Sequence, residues 1–227
     1  MIGVHNRVCG KVPEPTSEGL ALLAGEIRRI CHKLPRTNKI SAEEFLSKYV
    51  GRRHDRYAQA LADVAARGLR RSDAIITAFV KAEKTDPFAK ENPDPRIIQC
   101  RSPKYNSALG RFLRPMEHAL YQIEAGFSKT RGIAKGLNSK QRATMLKDKF
   151  AMFDNPVCYS LDCSRWDKHI AASILRLEHS VYLRMNNDPE LRELLEWQVI
   201  NRCYTKSGVG YTTKGKRNSG DMNTALG

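Results

Sequence analysis

Two carboxylates five residues apart, in Asp162-Cys-Ser-Arg-Trp-Asp167, are the residues whose types and spacing most directly suggest chemistry. They follow Pro156-Val157-Cys158-Tyr159-Ser160-Leu161, a short apolar run that reads as a buried strand. They precede a helix in which Ile170, Ile174, Leu177 and Val181 recur at spacings of four, three and four. A carboxylate at the C-terminal edge of such a strand is well placed to hold Mg²⁺, which takes one or two carboxylates together with substrate phosphates. Two-metal phosphoryl transfer is the chemistry that follows. A purely structural alternative stands beside it: Asp167 lies where the next helix begins, so the pair also reads as a helix cap next to a surface acid.

A second stretch points elsewhere and fails. Gly210-Tyr-Thr-Thr-Lys-Gly215-Lys216 has the spacing of a phosphate-cradling loop, but Arg217 stands where a Ser or Thr hydroxyl should reach Mg²⁺. Asn218-Ser219-Gly220 then interrupts the helix whose N-terminus would face the phosphates. A nucleotide-hydrolase reading is therefore rejected. The six cysteines are scattered without paired C-x-x-C spacing, which argues against a zinc site, and Cys158 and Cys163 read as small, reduced residues of the core.

The elements that must position these residues read as mixed α and β. Ser41-Ala42-Glu43-Glu44 has a capping-box pattern and opens a helix expected to run through Val50. A second helix from about His54 carries Tyr57, Leu61 and Val64 on one face and stops at Gly68. Ala74 to Val80 and Arg96 to Cys100 have strand length and composition, with a polar loop between them. Asn138 can cap a basic helix through Phe150, and Asp188, followed by Pro189, caps a helix that turns Leu191, Leu194 and Leu195 inward. Cys203 to Thr213, broken at Ser207-Gly208, reads as a hairpin, and a last helix is expected to begin near Asp221.

Charge sharpens the class. The 227 residues carry 39 Lys+Arg against 24 Asp+Glu, a net charge of +15. The excess is regional: residues 101–150 hold eleven Lys/Arg against three acids, and residues 151–200 five against eight. A cationic zone beside an acidic one suits a protein that grips a phosphate backbone in one place and a divalent metal in another, although a solvated basic surface has the same signature. No run approaches the roughly 20 apolar residues of a membrane span, and Met1 to Lys11 has no apolar core for a secretory signal, so a cytosolic compartment is the expectation.

Several stretches, taken in order, carry a family likeness. Lys81-Ala-Glu83-Lys84-Thr-Asp86 and Asp94-Pro95-Arg96-Ile97-Ile98 come first, then Ser160-Leu161-Asp162 through Asp167, then Gly215-Lys-Arg217-Asn-Ser219-Gly220-Asp-Met-Asn223-Thr224. Together they resemble successive motifs of positive-strand RNA virus RNA-dependent RNA polymerases. The tombusvirus-like group is the most similar, through Gly51-Arg52-Arg53, Tyr57 and the opening Gly3-Val4-His5-Asn6. The likeness spans most of the chain.

The resemblance implies an α+β chain that is part of a right-hand polymerase fold: fingers plus the first part of the palm, the palm incomplete and the thumb absent. It places the fingers with an N-terminal extension in residues 1–155. Residues 156–190 would start the palm with a strand, the acidic turn and a helix, and 191–227 would return to the fingers and begin the Ser-Gly loop and palm helix. Lys81 and Arg96 would meet the incoming triphosphate, with Lys84, Lys90 and Arg101 as candidate helpers and Glu83 orienting a neighbouring cation. Asp162, with the backbone carbonyl of Cys163, would hold Mg²⁺ (Mn²⁺ as a substitute), making Asp162 and Asp167 the catalytic carboxylates. Asp167, Ser219 and Thr224 would sense the ribose 2′-hydroxyl, and Ser219, Gly220 and Arg217 would lie beside the template.

Single-stranded RNA template, nascent RNA and ribonucleoside triphosphates are the implied partners, in a host cytoplasm, with membrane recruitment through a membrane-anchored auxiliary replication protein. The family's Gly-Asp-Asp hairpin is missing, and its Ser-Gly-x-x-x-Thr-x-x-x-Asn pattern would need an asparagine after Gly227. The expectation is thus a fragment of a longer polymerase, inactive by itself, in which Asp162 faces Lys81 and Arg96 across a nucleotide-sized cavity. The rival from another class is a non-catalytic basic RNA-binding protein.

Overall fold

A computed structural model describes residues 2–84, 94–124, 126 and 128–226. The chain opens with a short helix α1 (Ile2–Val4) that continues as a π-helical turn, His5–Cys9. α2 (Ser17–Cys31) begins where the Thr16 hydroxyl accepts the Gly19 N–H. α3 (Ala42–Leu46) has the expected cap, Ser41 accepting from the Glu44 N–H, but it ends at Leu46 rather than Val50. There the chain turns so that Tyr49 packs against Phe45 and Tyr57, with ring centroids 5.1 and 4.8 Å away. α4 (Arg52–Arg67) stops at Gly68, whose φ of +71° suits glycine.

β1 (Ile76–Val80) and β2 (Ile97–Cys100) pair antiparallel. α5 (Pro103–Tyr121) follows, with Ser102 as its cap. The core is built around α5: Tyr105, Leu109, Phe112, Leu113 and Met116, at spacings of four, three, one and three, are fully buried. The helix α6 (Ser139–Phe150) carries the reciprocal Asn138–Gln141 capping box and buries nothing. α7 (Trp166–His169), α8 (Ala172–Met185) and α9 (Pro189–Glu196) come next, and Tyr182, Met185, Leu191, Leu194 and Leu195 close over α5. β3 (Ile200–Thr205) and β4 (Gly210–Lys214) form the expected hairpin.

The chain is therefore α+β, with a mixed sheet of order β2-β1-β3-β4 in which β1 and β3 run parallel. One sheet face is buried through Ile76, Ala78, Cys203 and Thr213, while Thr77, Arg202 and Tyr204 point the other way to solvent.

Two expected elements are not formed. Residues 156–161 form no strand; Val157, Tyr159 and Leu161 are 74%, 84% and 89% exposed. A strand is held by ladder hydrogen bonds, and no described strand pairs with this segment, whose Pro156 also lacks a backbone donor. Cys158 and Cys163 are accordingly exposed thiols, not core residues. Residues 221–226 are a series of turns, not the start of a helix. Bonds from the N–H groups of Asp221, Thr224 and Leu226 reach back only three residues, and the Thr224 hydroxyl donates to the carbonyls of Asn218 and Asp221, at 2.7 and 2.8 Å.

Candidate active site

β1 and β2 bring Lys81 and Arg96 together. The Lys81 N–H donates to the Arg96 carbonyl at 2.8 Å, closing the hairpin just beyond the ladder. Glu83 then joins both cations, 2.8 Å from Lys81 Nζ and 3.4 Å from an Arg96 guanidinium nitrogen, and both hold its carboxyl below the usual range. Glu83 thus orients the cations. Asp86 and Lys90 lie outside the described residues.

Across from β2, the segment after β4 is strapped to α7. The Lys216 N–H donates to Ile170 O and the Arg217 N–H to Asp167 O, at 2.6 and 2.9 Å. Gly215 makes this approach feasible: its φ is +73°, and a Cβ there would stand 2.5 Å from the Ala172 nitrogen. The Ser-Gly loop is stitched to β2 in the same manner, Ser219 Oγ accepting the Gln99 N–H at 3.1 Å and Gly220 donating to Gln99 O at 2.8 Å.

The result is a cavity of about 250 Å³ with Arg7, Arg96, Arg165, Trp166, Asp167 and Ser219 among its walls. Burial raises the Asp167 carboxyl pKa, and Arg217 and Arg96 pull it back toward ionisation. A larger hollow of about 340 Å³ near Ile30, Leu34 and Ile123 is mainly apolar, so volume alone does not select the site.

Arg7 and Arg165 were not legible as site residues. Both are held by Asp94, whose side chain is only 6% exposed, at 3.3 and 3.0 Å, and Arg7 also donates to the Asp94 carbonyl. Arg7 sits 87 positions from Asp94, beyond any local pattern. The available signals were Asp94, an acid preceding Pro95-Arg96, and the place of Arg165 two residues before Asp167.

Several expected residues stand elsewhere. Asp162 lies in the exposed stretch before α7 and does not line the cavity, nor does Lys81. The expected Asp162-facing-cations arrangement is thus replaced by Asp167 and Arg96 about a shared hollow, because the strand meant to present Asp162 is not formed. Arg217 is 2% exposed and ion-paired to Glu178, so it braces the loop from beneath and is not presented to solvent. Arg101 is fully buried: its guanidinium donates to both Asp221 carboxylate oxygens (2.6 and 3.3 Å), to Asn201 Oδ1 (2.6 Å) and to Ala74 O (2.7 Å). It is a structural anchor and not a helper for substrate. Lys84 is exposed. Thr224 secures the turn and is absent from the cavity wall.

Beneath the loop, the polar chain continues from Asn223 to Gln198 and Glu178, and from Gln198 to His179. Burial pushes the His179 imidazole down to about 4. The sequence offered no sign of this network; its members are Asn, Gln and charged residues on different elements.

The carboxylate of Asp162 and the Cys163 carbonyl are hard oxygen donors of the kind Mg²⁺ takes. They fit in kind, but no group of three His, Cys, Asp or Glu side chains that could hold a metal occurs among the described residues. Nor is any helix long and apolar enough to cross a membrane among them.

Residues 3–227 match the family described as viral RNA dependent RNA polymerase. The chain is similar to the RNA-directed RNA polymerase of Oat chlorotic stunt virus (isolate United Kingdom), 42% identical over 86% of this chain and 27% of that protein. It is similar to that of Groundnut rosette virus (strain MC1), 39% identical over 99% of this chain and 27% of the relative. A third, from Tobacco necrosis virus (strain D), is 38% identical over 95% of this chain and 30% of its own length. The chain thus spans less than a third of the curated relatives it matches.

Proposed function

The chain belongs to the viral RNA dependent RNA polymerase family, and from that premise we propose that it supplies the fingers and the start of the palm to an enzyme copying a positive-strand RNA genome. In this reading residues 1–155 are fingers with an N-terminal extension, 156–190 the beginning of the palm, and 191–227 the return to the fingers and the Ser-Gly loop. The observation that carries it is the meeting of Arg96, Asp167 and Ser219 at one cavity, from stretches more than 50 residues apart in sequence.

Each residue has a task set by its chemistry. The planar Arg96 guanidinium matches the oxygens of an incoming triphosphate, and Lys81, tied to it through Glu83, adds a point charge at the approach. Asp167 accepts a hydrogen bond from the ribose 2′-hydroxyl. Ser219 Oγ already accepts from Gln99, so its own proton is free to be donated to the same 2′ oxygen. The pair therefore complements a group that is both donor and acceptor. Thr224 and Arg217 hold the loop's turn and floor, and Gly220 keeps its backbone close to β2 beside the template.

Asp162 and the Cys163 carbonyl would hold Mg²⁺, or Mn²⁺ in its place. Bound there as one of two, such an ion would supply activation of the primer 3′-hydroxyl and charge neutralisation at the leaving pyrophosphate. Template and nascent single-stranded RNA are the macromolecular partners. A membrane-anchored auxiliary protein would bring the enzyme to host membranes. In the intact polymerase, Asp162→Asn should reduce nucleotide incorporation roughly a thousandfold or more, the scale of several kcal/mol of metal-assisted stabilisation. RNA binding by filter retention should persist. Synthesis retained in that variant overturns the assignment.

A further inference from the structure

The sheet has a face whose β1, β3 and β4 part the proposed chemistry does not use. On it, Thr77 of β1 stands in register with Tyr204 of β3, and Phe79 lies two residues further along β1, in reach of a diagonal neighbour. Tyr204 is 50% exposed. Its ring lies toward β4, where Gly210 has no side chain to oppose it; a Cβ there would stand 3.2 Å from the ring. Lys206 Nζ sits 5.4 Å from the Phe79 ring centroid, and Arg202, on the same face as Tyr204, is exposed with no ion pair among the described residues. No strand residue is acidic.

An exposed tyrosine ring and a half-buried phenylalanine ring, flanked by unopposed cations on an open sheet, match one class of ligand. A single-stranded nucleic acid offers bases to stack on the rings and phosphates to meet the cations. We propose that this face is a second RNA-binding surface, with Tyr204 and Phe79 as stacking residues and Arg202 and Lys206 as phosphate contacts, separate from the nucleotide cavity. Ile98, paired with Phe79 across β1 and β2, also lines that cavity, so the surface leads directly to it. The surface recognises RNA by stacking and charge, and therefore without strong sequence preference.

The test uses the intact polymerase carrying these residues and a fluorescent 12-nucleotide single-stranded RNA, read by anisotropy, with ultraviolet cross-links mapped by mass spectrometry. Tyr204→Ala should weaken binding roughly fivefold or more, the low end of one lost base stack. Tyr204→Phe, which keeps the ring, should bind like the parent. Arg202→Gln should flatten the slope of log affinity against log salt by about 0.7. Cross-links should fall on peptides containing Phe79 or Tyr204.

Unchanged affinity in Tyr204→Ala overturns the proposal, as does an equal loss in Tyr204→Phe. Cross-links confined to peptides around Asp167 and Ser219 also overturn it. Loss in Arg202→Gln alone leaves only a charged patch, which is a failure of the stacking claim. The outcome is separable from the polymerase reading, because Asp162→Asn should keep the cross-links while losing incorporation.

Discussion

Asp221 and Asp162 are both carboxylates of short acidic motifs, yet the protein treats them differently. Asp221 is 3% exposed at its side chain and gripped by Arg101, itself fully buried, with Asn218 donating to the same carboxylate. Asp162 stands in a stretch, 151–166, in which every residue is exposed. The Ser-Gly loop is therefore positioned by contacts within the described residues, whereas Asp162, the carboxylate proposed to hold metal, is not. A motif can be plain in sequence because its chemistry demands particular residues, and still depend on ladder partners for its place in space.

Removing the guanidinium should show the contrast most sharply. Arg101→Ala leaves Asp221 buried without its partner and should cost about 3–5 kcal/mol in urea unfolding. A change below about 1 kcal/mol would mean that the network relaxes or admits water. The second effect follows from His179. Its folded pKa of about 4 lies below the unfolded 6.5, so stability is fully present above pH 6.5 and is lost as the pH falls toward 4. The loss attributable to this residue is about 3 kcal/mol at most, and His179→Gln should flatten the stability profile across that window.

A smaller effect is expected at Gly220, where a Cβ would stand 2.6 Å from the Gln99 carbonyl and 2.8 Å from Cys100 Cα. Gly220→Ala should cost about 1–3 kcal/mol by overpacking and detach the Ser219 hydroxyl from Gln99, visible as faster amide exchange there. The least effect belongs to the open stretch: Tyr159→Ser should alter stability by no more than about 0.5 kcal/mol. A larger loss in thermal unfolding would show that Tyr159 is packed in solution, and would erase the contrast with the loop.

What could be read from the amino-acid order was whatever rests on local rules. Gly68 ends α4, Asn138 caps α6, Asp188 starts α9, and Ser207-Gly208 marks the β3–β4 hairpin. These depend on neighbours within a few residues. The 156–161 run has a strand's composition, but composition cannot supply a ladder. Arg101 illustrates the opposite error. As a cation following the Arg-Ile-Ile stretch it looked available to substrate, and only its meeting with Asp221, 120 positions away, makes it internal. Arg7 and Arg165 were missed for the same reason, since one buried acid, Asp94, joins them from distant parts of the chain.

That 120-residue separation has a consequence during biosynthesis. A ribosome adding about 5–20 residues per second needs roughly 6 to 24 s to reach Asp221 after Arg101 has been made. For that interval the guanidinium has no carboxylate to enter the interior with, and α5 next to it cannot settle into its final seat. The nascent chain must wait, with apolar surface on show, for the segment that carries Asp221 to arrive.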